Sequence, residues 1–554
     1  MPLFASWVRL PSRRAIRIGY TAAGAYFGWR WAFVEHGPVW QRAAGVLAQM
    51  ALLSALVLLV RWQRRRRTGS VGPHRLPLRN LVLGKLLLVA LATGAGLLLA
   101  HWTSEAQLIA GTGLFLAIAF GGPVLHRRHD ADPPEPPSPR TTPPEGAMTD
   151  TARPSDLPEL PRQRRCPFDP APGYRALRES APISRITFPS GGSGWLVTRY
   201  EDVRTLLADP RFSSRLAVSA PHVRSAVAAL PEQPLPGALL RLDEPEHARY
   251  RRPVMRAFTV KQVQQLQPRI QQIVDERLDA MEKAGGPVDL VAELALPVTS
   301  LVICELLGVS YDDRETFHRL ADQLLAIESS AEQGQQARAE LASFIAALVA
   351  AKREQPGDDL LSTLIAEADA DPDSPLTDVA LTVLGSLLLI AGHETTANMI
   401  ALGALTLLEH PDQLAALRAD PALADRAVEE LLRYLTIIQF GLVRVASEDL
   451  TLGGQTIKAG DYVVASLPSA NRDPGLGIED PDRLDIARDS AAHVAFGYGP
   501  HQCLGQQLAR AEIRITLTSL FARFPGLRPT VRVDQLPFRD DMVIYGLHQL
   551  PVTW

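Results

Sequence analysis

Residues 496–510 read FGYGPHQCLGQQLAR and place a cysteine, Cys503, in a glycine-rich loop directly before a stretch of helical sequence. A helix that begins after Cys503 turns its positive N-terminal end and its free N–H groups toward the sulfur. Such surroundings favour the thiolate, which is the form of cysteine that binds metal ions. A lone cysteine beside a loop is usually a small buried hydrophobic residue, so the pattern around Cys503 has to decide between the two interpretations.

The spacing F-G-x-G-x-H-x-C-x-G in this stretch resembles the haem-binding loop of the cytochrome P450 family. The resemblance implies that Cys503 is the thiolate ligand of the iron of haem b, and that backbone donors near the sulfur tune its electron release. Glycines allow tight turns and a close approach of the backbone to the macrocycle. The cofactor contacts implied for this loop are Phe496, Gly497, His501, Cys503 and Gly505.

A long apolar segment, Leu376–His410, is predicted to form one helix that Thr377 opens and Pro411 ends. Its middle, residues 391–396, reads AGHETT, so that an acid and an alcohol interrupt an otherwise apolar helix. Taken alone, these residues indicate a polar patch facing solvent as readily as a functional site. Beside the cysteine loop, the functional interpretation is the better one.

The P450 resemblance implies that Glu394 is the acid and Thr395 the alcohol that bring protons to dioxygen in a dry pocket. Threonine can also bond back to the carbonyl four residues earlier, here that of Ala391, and open the helix locally. Gly392 is expected to leave space over the haem, and Ala391 and Gly392 are both expected to contact it. His393 is expected to be a bystander and not a ligand.

Haem carries two propionates, which need cations. His247 and Arg251 lie one helical turn apart in DEPEHARYRR, Arg444 precedes a predicted hairpin, and His501 lies two residues before the cysteine. Each of these would be an unremarkable surface base if it stood alone. Their positions match those of the family, and the resemblance implies that all four bind the propionates.

The stretch EELLRY contains Glu430 and Arg433, which are three residues apart and share one helix face. Such a pair is usually a surface salt bridge that contributes little stability. The order of motifs resembles that of the structural Glu-x-x-Arg pair behind the haem loop of the family, so we interpret it as scaffold. Arg483 is expected to be the third member, and Arg488 is the competing candidate.

The fold class predicted for the enzyme is mainly α with small β-sheets, the cytochrome P450 fold. Trp195–Arg199 is a predicted strand that leads into a helix at Tyr200, and Glu448–Val464 is a predicted hairpin. The resemblance covers Cys166–Trp554 and is to the actinobacterial branch of soluble bacterial P450s, which oxidises macrolides, steroids, secosteroids and foreign compounds.

The first 129 residues differ from the rest. Three apolar runs, each close to the length that crosses a bilayer, predict three transmembrane helices, and a weaker run predicts a fourth span or a surface helix. Nearly charge-free runs bracketed by arginine clusters argue against buried helices of a soluble protein, and a cleaved signal peptide fits poorly. In order, the weak run and the three strong runs are Ile18–Val34, Ala43–Val60, Leu81–Ala100 and Leu108–Leu125.

The predicted domains are therefore a membrane segment at residues 1–129, a proline-rich linker at residues 130–147 and a haem domain at residues 148–554. With four spans, all three basic clusters fall on the cytoplasmic side, which places the haem domain in the cytoplasm at the cell membrane. The alternative is that translation starts at Met148 and the enzyme is simply cytoplasmic.

The expected function is a haem-thiolate monooxygenase that inserts one oxygen atom of O2 into an apolar small molecule. Three cysteines in 554 residues cannot hold an iron–sulfur cluster beside the haem ligand. Electrons are therefore expected from a separate ferredoxin and an NAD(P)H-dependent ferredoxin reductase. A net charge of −3 offers no argument for nucleic acid. The alternatives are a peroxide-driven peroxygenase and a non-catalytic, membrane-anchored haem-binding protein.

Overall fold

The computed structural model describes residues 157–188, 192–215, 233–326, 331–489, 492–540 and 542–554. All of these residues belong to one compact unit of the chain, Met148–Trp554. The predicted membrane segment at residues 1–129 and the predicted linker at residues 130–147 lie outside the described residues.

Helices make up most of the described part of the chain. In chain order they are α1 Gly173–Ser180, α2 Tyr200–Ala208, α3 Glu246–Met255, α4 Val260–Ala284, α5 Leu296–Leu307, α6 Arg314–Leu325, α7 Ala331–Glu354, α8 Leu360–Ala370, α9 Asp378–Glu409, α10 Pro411–Ala419, α11 Ala424–Leu435, α12 Leu467–Ala470 and α13 Gln506–Arg523.

The strands are short and form small sheets. They are β1 Ile183–Thr187, β2 Ser193–Val197, β3 Phe212–Ser213, β4 Val288–Asp289, β5 Leu442–Ala446, β6 Leu450–Leu452, β7 Gln455–Ile457, β8 Tyr462–Ala465, β9 Arg528–Pro529 and β10 Pro551–Thr553. The largest sheet has the order β1-β2-β8-β5-β3, a second has the order β4-β10-β9, and β6 pairs with β7. The described part is therefore mainly α with small β-sheets, as predicted.

Helix α9 is the central helix of the core, and local residues set both of its ends. The Thr377 hydroxyl caps the helix by accepting from the Ala380 N–H, and Pro411 opens the next helix directly afterwards. In the described ranges, α9 is the one helix long and apolar enough to cross a membrane by length and composition, and 56% of its most apolar window is buried inside the protein.

The strand and hairpin predictions are largely confirmed. The strand predicted at Trp195–Arg199 occupies Ser193–Val197, because it begins two residues earlier in register with β1. Its following helix begins at Tyr200, as predicted. The hairpin predicted within Glu448–Val464 is the β6–β7 pair, which turns on two glycines with φ angles of 53° and 81°.

The packing of α9 places two predicted motifs in the same core. Helix α9 packs against α5, α7 and α13. Helix α13 directly follows the Cys503 loop, whereas the AGHETT stretch lies in the middle of α9. The contact between the two helices therefore holds both motifs on one rigid framework.

Candidate active site

The Cys503 loop is held by backbone contacts before α13 begins. The Cys503 N–H donates to the Phe496 carbonyl at 2.8 Å. Gly497 and Gly499 adopt φ angles of 72° and 74°, in the left-handed region that favours glycine. At Gly499 there is also no space for a side chain, because a Cβ would lie 2.6 Å from the Leu207 carbonyl oxygen. The glycines therefore determine the course of the loop that presents Cys503.

The surroundings of Cys503 combine burial with positive charge. Cys503 keeps accessible surface, although the protein around it is dense enough to desolvate its thiol. Burial raises the pKa of its thiol, while the Gly505 N–H and the charges of Arg251 and Arg510 lower that pKa. Helix α13 begins at Gln506, so its positive end lies next to the sulfur, as predicted.

The other two cysteines have different surroundings. Burial, followed by the nearby carboxylates of Asp313 and Glu305, raises the pKa of the Cys304 thiol to about 12. Burial also raises the pKa of Cys166, and the carboxylate of Asp169 raises it further. Neither has a cation among the causes of its pKa shift, so Cys503 is the cysteine best placed to bind as a thiolate.

Four basic side chains gather near the cysteine loop. The rings of His247 and His501 lie 4.2 Å apart, and the charges of Arg444, His247 and Arg251 all act on His501. Burial, followed by these charges, lowers the pKa of His501 to about 3. Burial also lowers the pKa of Arg444 to about 10. The structure thus brings together the four residues that we predict to bind the propionates.

This cluster fits an anionic group. Among the described residues, the Nε2 atom of His247 is buried and has no hydrogen-bond partner. Arg444 donates to the carbonyl of its neighbour Val443 at 2.9 Å. Asp243, the acid that acts on Arg444, is already engaged by the Ser214 N–H at 2.8 Å. Buried positive charge with donors to spare requires a counter-charge, which the two carboxylates of a haem would supply.

In the middle of α9, the contact of Thr395 is as predicted, whereas the surroundings of Gly392 differ from the prediction. The Thr395 hydroxyl donates to the Ala391 carbonyl at 2.8 Å, as expected for a threonine that loosens its helix. At Gly392, however, the free space is taken by Ile303 of α5, since a Cβ would lie 2.6 Å from the Cδ1 atom of Ile303. Gly392 therefore permits close packing of α5 on α9, and its contact with the cofactor stays a prediction.

Glu394 is buried in an ion pair that extends to the protein surface. Its Oε1 atom lies 2.9 Å from Arg539, and Arg539 lies 3.2 Å from Asp322, whose side chain is 61% exposed. The Asn398 amide donates to the Glu394 Oε2 atom at 3.2 Å. Burial raises the pKa of Glu394, although Arg539 opposes this shift. The carboxyl therefore holds a proton more readily than a surface glutamate does.

The sequence analysis missed Arg539 and Asp322. Both residues lie far along the chain from α9, and no helical or strand spacing connects either of them to Glu394. A buried carboxylate generally requires a cation, which predicts that a partner exists but does not say which residue it is.

His393 faces another part of the core. Its Nδ1 atom is hydrogen-bonded to the Leu389 carbonyl at 2.7 Å, and its ring stacks on that of His318 of α6 with the centroids 5.0 Å apart. The Ser300 hydroxyl is hydrogen-bonded to His318 at 2.6 Å. Burial lowers the pKa of His393 to about 3, so the ring is neutral. The expected bystander role of His393 agrees with these contacts.

The Glu430–Arg433 pair is buried, and its third member is Arg488. Arg433 forms two hydrogen bonds with the Glu430 carboxylate, both of 2.8 Å. Arg488 Nε lies 3.4 Å from Glu430, whereas the side chain of Arg483 is 64% exposed and pairs with Asp485. The expectation for Arg483 is thus wrong, because only its backbone carbonyl, which accepts from Arg433, faces the cluster.

A family model described as "Cytochrome P450" matches residues 195–543, which is more than half of the chain. The chain belongs to the cytochrome P450 family. The family predicted from the sequence is therefore confirmed, as is the P450 fold of the described residues.

Several characterised P450s match the haem domain over nearly their full length. Cytochrome P450-SU2 of Streptomyces griseolus is 46% identical over 408 residues, which cover 72% of this chain and 98% of that protein. Pentalenic acid synthase of Streptomyces avermitilis is 48% identical over 397 residues, with 71% and 97% coverage. The crystal structure of CYP105P1 in complex with filipin I superposes with a TM-score of 0.69 at 48% identity, covering 72% of this chain and 99% of that one.

These relatives establish the general chemistry. P450s of this type are haem monooxygenases that act on small molecules, and their prosthetic group is haem b. The chain is accordingly an oxidoreductase of the monooxygenase class. The cysteine loop and the cluster of basic side chains fit this prosthetic group.

Proposed function

We propose that this P450 hydroxylates or epoxidises an apolar, medium-to-large molecule, with Cys503 as the iron ligand and Glu394 with Thr395 as the proton-delivering pair. The observation that carries the proposal is the joint placement of two elements on the packed helices α9 and α13. One is a cysteine directly before a helix N-terminus, with the charges of Arg251 and Arg510 acting on it. The other is a buried acid next to an alcohol that loosens its helix.

The haem supplies the activation of dioxygen, and the protein supplies the environment for it. The propionates would be held by Arg251, Arg444, His247 and His501, with the two arginines supplying the positive charge. The glycine-rich loop holds Cys503 in one position, and the end of α13 stabilises its negative charge.

Proton delivery follows from the contacts of two neighbouring residues. Because the Thr395 hydroxyl donates its own proton to the Ala391 carbonyl, its oxygen is free to accept a hydrogen bond from the pocket side. Burial raises the pKa of Glu394 and the ion pair with Arg539 opposes this shift, so the carboxyl can take up and release a proton in a dry environment. Arg539, which stays charged, holds the Glu394 carboxyl in place and pairs in turn with Asp322 at the surface.

The electron donors are a separate ferredoxin and an NAD(P)H-dependent reductase, which dock on the cysteine side of the haem. The acid–alcohol pair supports this source over hydrogen peroxide, because peroxide already carries the two protons that such a pair would deliver. It also argues against a protein that only binds a ligand, since binding does not require proton delivery.

The substrate is expected to be apolar because the core around α9 is apolar. One relative is named for the synthesis of pentalenic acid and one solved structure contains filipin I, so the family accepts molecules of different shapes. Segments near residues 212–240 and 315–345 are expected to determine the choice, and parts of both lie outside the described residues.

The first 129 residues are proposed to anchor the enzyme in the bacterial cell membrane, with the haem domain on the cytoplasmic side. The support is the sequence pattern of nearly charge-free runs bracketed by arginines. An anchor would concentrate the enzyme where apolar substrates partition. If translation starts at Met148, the enzyme would be cytoplasmic instead.

The decisive experiment is the carbon monoxide difference spectrum of the reduced full-length protein, compared with that of Cys503→Ser. A far red-shifted Soret band that the substitution abolishes is expected. A band at the position of histidine-ligated haems in the wild type would refute the assignment of Cys503. A second experiment compares turnover with ferredoxin, reductase and NAD(P)H to turnover with hydrogen peroxide. This comparison distinguishes a monooxygenase from a peroxygenase.

A further inference from the structure

Glu429, the first glutamate of EELLRY, holds two residues beside the cysteine loop. Its carboxylate accepts from Arg510 at 2.5 and 3.0 Å in a two-pronged contact. The same carboxylate lies 3.1 Å from the Nε2 atom of His493. Although burial opposes ionisation, the hydrogen bonds from His493 and Arg510 lower the pKa of Glu429 to about 2. Glu429 is thus a fixed negative charge with two partners.

Both partners contact Phe496, the first residue of the loop. The guanidinium carbon of Arg510 lies 4.5 Å from the centroid of the Phe496 ring, within the range of a cation–π contact. The His493 ring lies 6.2 Å from the same ring, and its Nδ1 atom accepts from the Ala495 N–H. We call Glu429, His493 and Arg510 the Phe496 clamp.

The clamp reaches Cys503 by two routes. The first is mechanical, because the Phe496 carbonyl accepts the N–H of Cys503 at 2.8 Å. The second is electrostatic, because Arg510 carries a positive charge on α13, the helix that begins three residues after Cys503. Arg510 is three-quarters buried, so its charge is only partly screened by water.

We propose that Arg510, fixed by Glu429 and His493, is a positioning residue that sets the orientation of Phe496 and the charge environment of the Cys503 thiolate. The proposal rests on the proposed role of Cys503 as the iron ligand. It assigns a function to Glu429 that differs from that of its neighbour Glu430, which belongs to the buried scaffold.

Electrostatics predicts the direction of the effect. Reduction of the haem adds an electron, so a nearby positive charge favours the reduced state. Removing the charge of Arg510 should therefore lower the reduction potential. A partly buried charge near the thiolate is expected to change the reduction equilibrium constant by up to about tenfold, which is about 59 mV for one electron.

The test compares Arg510→Met, Arg510→Lys and the matched control Arg514→Met in the full-length haem-loaded protein. Arg514 lies one turn further along α13 and pairs with Asp425, away from the clamp. The reduction potential is measured by equilibrium optical titration without any ferredoxin, so an effect on partner docking cannot contribute. The second readout is the guanidinium concentration at which the thiolate-type carbon monoxide band is lost.

We expect Arg510→Met to lower the potential and the guanidinium midpoint, and Arg514→Met to leave both at the wild-type values. Arg510→Lys keeps the charge but not the planar fork. It should restore the potential while the carbon monoxide band stays less persistent than in the wild type.

Equal values for Arg510→Met and Arg514→Met in both readouts would overturn the proposal. If Arg510→Met fails to take up haem, Arg510→Lys decides, and a lysine variant identical to the wild type in both readouts refutes the positioning role. A wild type without any thiolate-type band would instead refute the role of Cys503 itself.

Discussion

Single side chains in this P450 act through partners that are distant in the chain. Glu394 and Arg539 are 145 positions apart, yet they form a buried ion pair with oxygen and nitrogen 2.9 Å apart. Desolvation of an unpaired carboxylate would be costly, so the pair allows an ionisable group to stay in the core. The same pair connects the middle of α9, where we propose that oxygen is activated, to the exposed carboxylate of Asp322.

Thr395→Ala should uncouple the enzyme. Without the hydroxyl, proton delivery is no longer controlled, and reducing equivalents from NAD(P)H end up in hydrogen peroxide instead of product. We expect the product formed per NAD(P)H to fall about tenfold or more, given the usual size of such contributions. The control is Thr382→Ala on the same helix, whose hydroxyl also donates to the carbonyl four residues earlier. Unchanged coupling in Thr395→Ala would contradict the assignment of the alcohol.

Arg539→Met should raise the pKa of Glu394 further, because Arg539 is the group that opposes the effect of burial on this carboxyl. Breaking the buried pair is expected to cost about 3 kcal/mol of stability at neutral pH. It should also slow product formation at unchanged haem content. Guanidinium unfolding and turnover measured against pH check both effects. Arg532→Met is the control, since Arg532 pairs with Asp534 at the surface, and identical results for the two variants would refute the link.

Helices α9 and α13 form the framework on which these side chains depend. They pack on each other and on helices from both halves of the haem domain. At Gly392 of α9 a larger side chain would meet Ile303, and at Glu512 of α13 burial disfavours a negative charge.

Gly392→Ala should destabilise the protein by about 1–3 kcal/mol, the usual cost of overpacking. The added methyl group would lie 2.6 Å from the Ile303 side chain of α5. Thermal unfolding of the haem-loaded protein measures this loss. Ile303→Ala removes the side chain that the new methyl group would meet. The double variant should therefore lose less stability than the sum of the two single losses, and an additive loss would contradict the contact.

Glu512→Gln should be more stable than the wild type, by a margin that grows as the pH rises. Burial raises the pKa of Glu512 well above 4.5, so the folded state binds a proton that the unfolded state releases. Wild-type stability therefore falls above pH 4.5, by up to about 1.4 kcal/mol per pH unit until the folded pKa is passed. The glutamine variant should match the wild type near pH 4 and exceed it at pH 7 in urea unfolding, and parallel pH profiles would refute the raised pKa.

The whole chain combines a haem domain that matches known P450s with 147 residues before it that carry a different sequence pattern. The relatives are matched over 96–100% of their own length by 70–75% of this chain. The matched part of the chain therefore spans nearly the full length of these P450s.

Removal of residues 1–147 should abolish membrane association and leave catalytic activity intact. We expect Met148–Trp554 to retain the thiolate-type carbon monoxide band and turnover with ferredoxin and reductase. The full-length protein should sediment with membranes and resist extraction at alkaline pH, whereas the shortened protein should stay in the supernatant. Full-length protein in the supernatant would refute the proposed anchor, and loss of the band on truncation would show that the haem domain depends on the preceding residues.

Local sequence was sufficient for the features that depend on neighbouring residues. Four features involve residues within a few positions of each other: the cysteine loop, the cap of α9 at Thr377, the β6–β7 hairpin and the hydrogen bond from Thr395 to Ala391. Helical spacing likewise predicted that Glu430 and Arg433 form a pair. In these cases the backbone geometry follows from short-range hydrogen bonds and sterics.

Tertiary packing decided the features that join distant segments. Sequence spacing did not predict four such features: the choice of Arg488 over Arg483, the contact of Gly392 with Ile303, the partner of Glu394 and the clamp on Phe496. Each depends on which face of one element meets another, and that is fixed by the burial of the whole apolar core. A buried charge requires a partner wherever the chain brings one, and only the folded chain determines which residue that is.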